Sequence, residues 1–99
     1  THTHVPTSDL RILQNGTAYQ TDAGMCGDYD SVIGGEKKAW IEKFIYKTRF
    51  KTINACSTNQ TLCGVIIKIC NNNGLSSIVK QIIIGDTIEN KIPNAKYFT

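Results

Sequence analysis

The chain has 99 residues, of which 40% are hydrophobic and 19% charged, with a net charge of +3. That balance excludes a disordered chain and sets one modest core as the expectation, because so short a chain buries only about 60–65% of its unfolded surface. The longest apolar stretch, Leu62 to Ile84, is broken by Lys68, Asn71, Asn72, Asn73 and Lys80, which excludes a membrane-spanning helix.

The N-terminal stretch Thr1 to Ser8 is polar, contains Pro6 and reads as a loose tail on a single domain spanning 1–99. Its Thr-His-Thr-His start has the alternation of a copper chelate, yet the same residues are those of a frayed terminus, and the reading assigns no metal and no cofactor. Asn15-Gly16 marks a turn before a strand beginning at Thr17, Ala18 and Tyr19. Thr21 to Asp30 carries Gly24, Gly27 and Asp22, Asp28 and Asp30, the composition of a tight loop in which aspartates cap turns.

Glu36 to Arg49 is ambiguous. Ile41, Phe44, Ile45 and Thr48 recur at helical spacing after Gly34-Gly35, which favours a helix, while the β-branched and aromatic content favours a strand. Lys37, Lys38, Lys43, Lys47, Arg49 and Lys51 interleave with Trp40, Phe44, Tyr46 and Phe50. A solvated basic face accounts for this pattern better than a nucleic-acid groove does.

Leu62–Cys70 and Ser77–Gly85 alternate as strands around Asn71-Asn72-Asn73-Gly74, a strong hairpin signal. Both are apolar on both faces near their ends, as in a closed barrel or a sandwich. The even count of four cysteines, Cys26, Cys56, Cys63 and Cys70, favours disulfides, and four cysteines allow three pairings. With the sequons at Asn15 and Asn59 read as glycosylation sites, the chain is expected to be a secreted, extracellular monomer whose leader has been removed.

In order, Gly16-Thr17-Ala18-Tyr19, Gly24-Met25-Cys26-Gly27 with Asp30, Leu62-Cys63-Gly64-Val65-Ile66-Ile67-Lys68-Ile69, Gln81 to Asp86, and Lys91 to Tyr97 resemble the landmarks of barwin-like and expansin-like domains. The resemblance implies a mainly β fold, a six-stranded double-psi β-barrel with one or two short helices. It implies a Cys26–Cys63 disulfide, leaving Cys56 with Cys70. It also implies a groove in which Thr17, Tyr19, Asp30, Asp86 and Tyr97 bind a ligand, with Trp40 as a further candidate. Lys91 stands where catalytic members carry an acid, and Glu89 is the nearest substitute. No catalytic residue is therefore assigned.

The expected function is a non-catalytic barwin-like protein binding cell-wall polysaccharide. The alternative is a secreted effector or protease-inhibitor-type protein binding a host protein on the same scaffold; a hydrolase comes third.

Overall fold

The computed structural model describes residues 2–47 and 52–98. The Thr48 and Arg49 end of the ambiguous segment, with Phe50 and Lys51 of the basic run, lies outside the described residues. The elements run β1 (Arg11–Ile12), β2 (Ala18–Tyr19), β3 (Gly27–Asp28), α1 (Lys37–Tyr46), β4 (Gln60–Ile69), β5 (Ser76–Ile84) and a 3-10 turn at Ala95–Phe98. β1 pairs with β2, and β3, β4 and β5 form a second antiparallel sheet in that order.

The hairpin forms where alternation and the Asn-Gly turn place it. Leu62 faces Ile84 and Cys63 faces Ile83, and the register continues to Lys68 opposite Ile78 before a shift at Ile69. Gly74 takes φ +72° in the connection, a conformation that suits glycine. α1 resolves the ambiguous segment as helix and ends on left-handed Lys47. Trp40 stacks on Phe44 at 6.0 Å, one helical turn on.

A double-psi barrel is not what these strands build. β1, β2 and β3 have two residues each, so β4 and β5 are the long strands and both sheets keep open edges. Burial also falls along the hairpin. Thr61 and Cys63 are buried at its base, whereas Val65, Ile67 and Ile69 become progressively exposed toward the tip. The radius of gyration is 17.4 Å, against about 13 Å for a compact chain of this length. The apolar double-faced strands thus form a projecting ribbon rather than a closed wall.

The four cysteines are free thiols, which overturns the expected disulfides. Cys26 Sγ donates to the Cys63 carbonyl at 3.2 Å, and Cys63 Sγ meets the Tyr29 hydroxyl at 3.2 Å. Cys56 Sγ donates to Asp28 Oδ2 at 3.1 Å beside the base of β4, while Cys70 follows its far end. Ten strand residues separate those ends by about 30 Å, and a disulfide needs Cα atoms within about 7 Å.

Among the described residues, the buried apolar side chains are Ala39, Cys63 and Ile83, and the buried polar ones are Asp22, Asp28 and Thr61. Much of the interior order is therefore polar, held by bonds between segments far apart in the chain. No helix of the described residues is long and apolar enough to cross a membrane.

Candidate functional site

The N-terminal segment is tied to the body by one carboxylate. Asp22 is 1% exposed, and its Oδ2 accepts from His2 N at 2.9 Å, Thr3 N at 2.6 Å and Thr3 Oγ1 at 2.7 Å. Its Oδ1 accepts from Gly24 N at 2.9 Å. Thr7 reinforces the attachment: its N–H donates to the Asp22 carbonyl at 3.0 Å, its Oγ1 accepts from Asp22 N at 2.9 Å, and its hydroxyl donates to Asp9 Oδ1 at 2.7 Å. Hydrogen bonds from Thr21 and Thr7 hold the Asp9 carboxyl below its ordinary 3.8, at about 2. Pro6 and Ala23 form a backbone bridge between the two segments.

His4 is oriented from the other side. Its Nδ1 lies 2.8 Å from the Ile33 carbonyl oxygen. A carbonyl only accepts, so Nδ1 carries the proton, and in the neutral ring Nε2 holds the lone pair. The carbonyl comes from a strained turn. Ile33 at φ 47° and Gly34 at φ 94° are both left-handed, closed by Val32 N to Gly35 O at 3.0 Å and Gly35 N to Val32 O at 2.9 Å. This is the two-residue turn that needs positive φ at both central positions. A β-branched residue there costs about 1–3 kcal/mol and is held by its surroundings. His4 itself has φ 64°. Two left-handed non-glycine residues joined by one hydrogen bond thus set the direction of one imidazole.

Ile33 also borders a cleft of about 470 Å³ that Met25, Gly35, Trp40, Asn54 and Cys56 help to line. Trp40 Nε1 is buried there with no hydrogen-bond partner among the described residues. Beneath it, the buried Asp28 accepts from Asn59 N at 2.9 Å, Asp30 N at 2.8 Å and Cys56 Sγ at 3.1 Å. Led by the Asn59 bond, these donors hold its carboxyl below the ordinary value.

Tyr29 packs beside this region, accepting from Met25 N at 2.8 Å and donating to Met25 O at 3.0 Å. Burial first, then the Cys63 contact, pushes its hydroxyl from 10.0 up to about 12. The raised value means the folded protein favours the protonated phenol. That stabilisation is complete below pH 10 and is lost as pH rises through about 12. In a titration at 295 nm, one of the four tyrosines is expected to ionise late, and Tyr29→Phe to remove that phase. A single phase near pH 10 in the unsubstituted protein would contradict this.

Of the residues expected to line a groove, Thr17 and Tyr19 lie at β2, Asp30 and Asp86 in loops after β3 and β5, and Tyr97 in the 3-10 turn. Thr17 accepts Leu13 N at 2.8 Å through its carbonyl, and Tyr19 sits under Arg11 with its hydroxyl 3.1 Å from Thr21 Oγ1. Asp30 pairs with Lys37 at 2.8 Å, both exposed, and Tyr97 lies between Lys80 and Lys96. Asp86 is exposed beyond β5, and the sequon residues Asn15 and Asn59 are exposed. None of these contacts links one of the five to another. Lys91 is taken up by backbone bonds to Ile83 and by its Nζ donating to Gln81 Oε1 at 3.2 Å. His2 and His4, weighed from the sequence as a metal chelate against a frayed terminus, are held to the body through Asp22 and Ile33.

Comparison with known proteins finds relatives named phosphodiesterase or phosphatase. The chain is 40% identical over 87 residues to the 2',3'-cyclic-nucleotide 2'-phosphodiesterase of Bacillus subtilis (strain 168), covering 87% of this chain and 32% of that protein. It is 41% identical over 86 residues to a putative phosphatase/phosphodiesterase of Mycoplasma genitalium, covering 85% and 30%. A solved structure of a novel phosphatase from Mycoplasma pneumoniae superposes with a TM-score of 0.78 at 37% identity, covering 86% of this chain and 30% of that one. A hypothetical protein from Thermus thermophilus superposes with a TM-score of 0.75 at 32% identity, covering 87% and 33%. The chain thus spans about a third of the length of these relatives. They overturn the barwin-like and expansin-like resemblance, and with it the non-catalytic cell-wall reading and the effector or inhibitor alternative. The matching family profile, described as YmdB-like protein, covers residues 1–82, and the chain belongs to the YmdB-like family.

Proposed function

We propose that this chain contributes His2 and His4 to a site that hydrolyses phosphoesters. The observation that carries the reading is the hydrogen bond from His4 Nδ1 to the Ile33 carbonyl. Such a bond fixes the tautomer and direction of an imidazole that ligates or transfers a proton through its other nitrogen. The relatives named phosphodiesterase or phosphatase support the reaction class.

In that class a water oxygen bonds to phosphorus, one P–O ester bond breaks, and a proton reaches the departing alkoxide. The imidazoles fit a divalent cation in part. His2 and His4 are two nitrogen donors two residues apart, and among the described residues no group of three His, Cys, Asp or Glu side chains gathers. A divalent cation bound there would polarise a phosphoryl oxygen and acidify a water. Asp22 holds the backbone of His2 and Thr3, and the Ile33 carbonyl orients the ring of His4.

The test is hydrolysis of 2',3'-cyclic AMP by the unsubstituted protein, His2→Ala and His4→Ala, each with Mg²⁺, Mn²⁺ or Zn²⁺. Release of the monoester by the unsubstituted protein, reduced at least about tenfold in both variants, supports the reading. No release with any of the three ions, or unchanged release by the variants, overturns it.

A further inference from the structure

We infer that Asp22 is the positioning residue of this site, holding the His2–Thr3–His4 turn rather than touching the substrate. The inference rests on the reading of His2 and His4 as site residues. Asp22 is buried, and backbone and hydroxyl donors from His2, Thr3 and Gly24 converge on its carboxylate. Three of those donors come from the two residues preceding His4. A buried carboxylate satisfied in this way fixes the path of the chain that brings them.

The geometry divides the work between two anchors. Asp22 sets the backbone at His2 and Thr3, and the Ile33 carbonyl sets the ring of His4. Between them, Thr3 Oγ1 donates to Asp22 Oδ2 and accepts from Val5 N at 3.3 Å, so the hydroxyl serves the turn on both sides of His4. His4 at φ 64° needs such restraint, because an unclamped backbone would relax toward negative φ and carry the ring away from Ile33.

Asp22→Asn separates the clamp from mere bulk. The amide keeps the shape and one oxygen, but that oxygen can serve either the three donors at Oδ2 or Gly24 N at Oδ1. The NH₂ group then faces donors on the other side. Zn²⁺ alone is the probe, added to the full chain while the ring nitrogens and protons of both histidines are followed by NMR. We expect Asp22→Asn to weaken Zn²⁺ binding about 10–100-fold, as loss of a group supporting metal ligands does, and to abolish the Nδ1–H signature of His4 in the metal-free protein. Thr3→Ala, which removes one donor, should weaken binding by a smaller factor.

Unchanged affinity and tautomer in a folded Asp22→Asn protein would overturn the inference while leaving the site reading intact. If the unsubstituted protein shifts neither histidine with Zn²⁺, both the site reading and the inference fall. If Asp22→Asn fails to fold, as judged by circular dichroism, Thr3→Ala decides. Weakened Zn²⁺ binding with a disturbed His4 tautomer supports the clamp, and unchanged behaviour overturns it.

Discussion

Gly24→Ala is expected to destabilise the protein by about 3 kcal/mol, combining backbone strain with a steric clash. Gly24 has φ +97°, a conformation L residues rarely adopt, and its N–H is held by Asp22 Oδ1 at 2.9 Å. A Cβ there would stand 3.0 Å from Cys63 Cβ, 3.1 Å from Cys63 Sγ and 3.1 Å from the backbone nitrogen of Pro6. Cys63 is buried on the central strand β4, and Pro6 is bridged to Ala23, so neither neighbour yields easily. Gly74→Ala is the control. It has φ +72° with nothing within 4 Å of the added methyl, so strain alone applies, about 1 kcal/mol. Urea unfolding of the two variants compares them directly. Equal losses would mean that the approach of Pro6 and Cys63 to Gly24 carries no energetic weight. A larger loss in Gly24→Ala ties the stability of the body to the segment that carries His4.

The hairpin was legible from local pattern, because alternation and an Asn-Gly turn act over a few residues and need no distant partner. Closure was not legible. Ile66, Ile67, Val79 and Ile82 make both faces of the ribbon apolar, and that pattern states that each face suits burial without stating what lies against it. Reading it as a barrel wall supplied a closure that strands of two residues cannot provide. The cysteines carry the same lesson. An even count is a statement about composition, whereas a disulfide depends on distance. Cys26 and Cys63 do meet, thiol to carbonyl, but Cys56 and Cys70 lie toward opposite ends of β4.

The site escapes the sequence for a different reason. His2 and His4 read as a tail because polar residues near a terminus usually fray, and nothing local shows what restrains them. The restraint on His2 lies 20 residues on, in Asp22, and that on His4 lies 29 residues on, in Ile33. Asp22 reads as a turn cap, which its bond to Gly24 N makes it. Its second oxygen, serving His2 and Thr3, is a tertiary contact that residue type and spacing do not encode.

Ile83→Ala is expected to cost about 3 kcal/mol, within the range for deleting a buried Ile side chain. Ile83 is 4% exposed, and it faces Cys63 across the sheet. Its backbone is fixed on the other side by two hydrogen bonds with Lys91, each 2.9 Å, so β5 cannot easily move to fill the space. Ile84→Ala, one residue on, removes the same atoms from a side chain 45% exposed opposite the equally bare Leu62, and is expected to cost less than about 1 kcal/mol. Guanidinium unfolding of both variants tests whether the hairpin base, rather than its apolar length, holds the protein together. If the two variants lose equal stability, the ribbon contributes uniformly and the base is not special. If Ile83 dominates, the core lies at the base of β4 and β5, where Cys63 also meets Gly24 and Tyr29, and the segment carrying His2 and His4 is anchored to its most stable part.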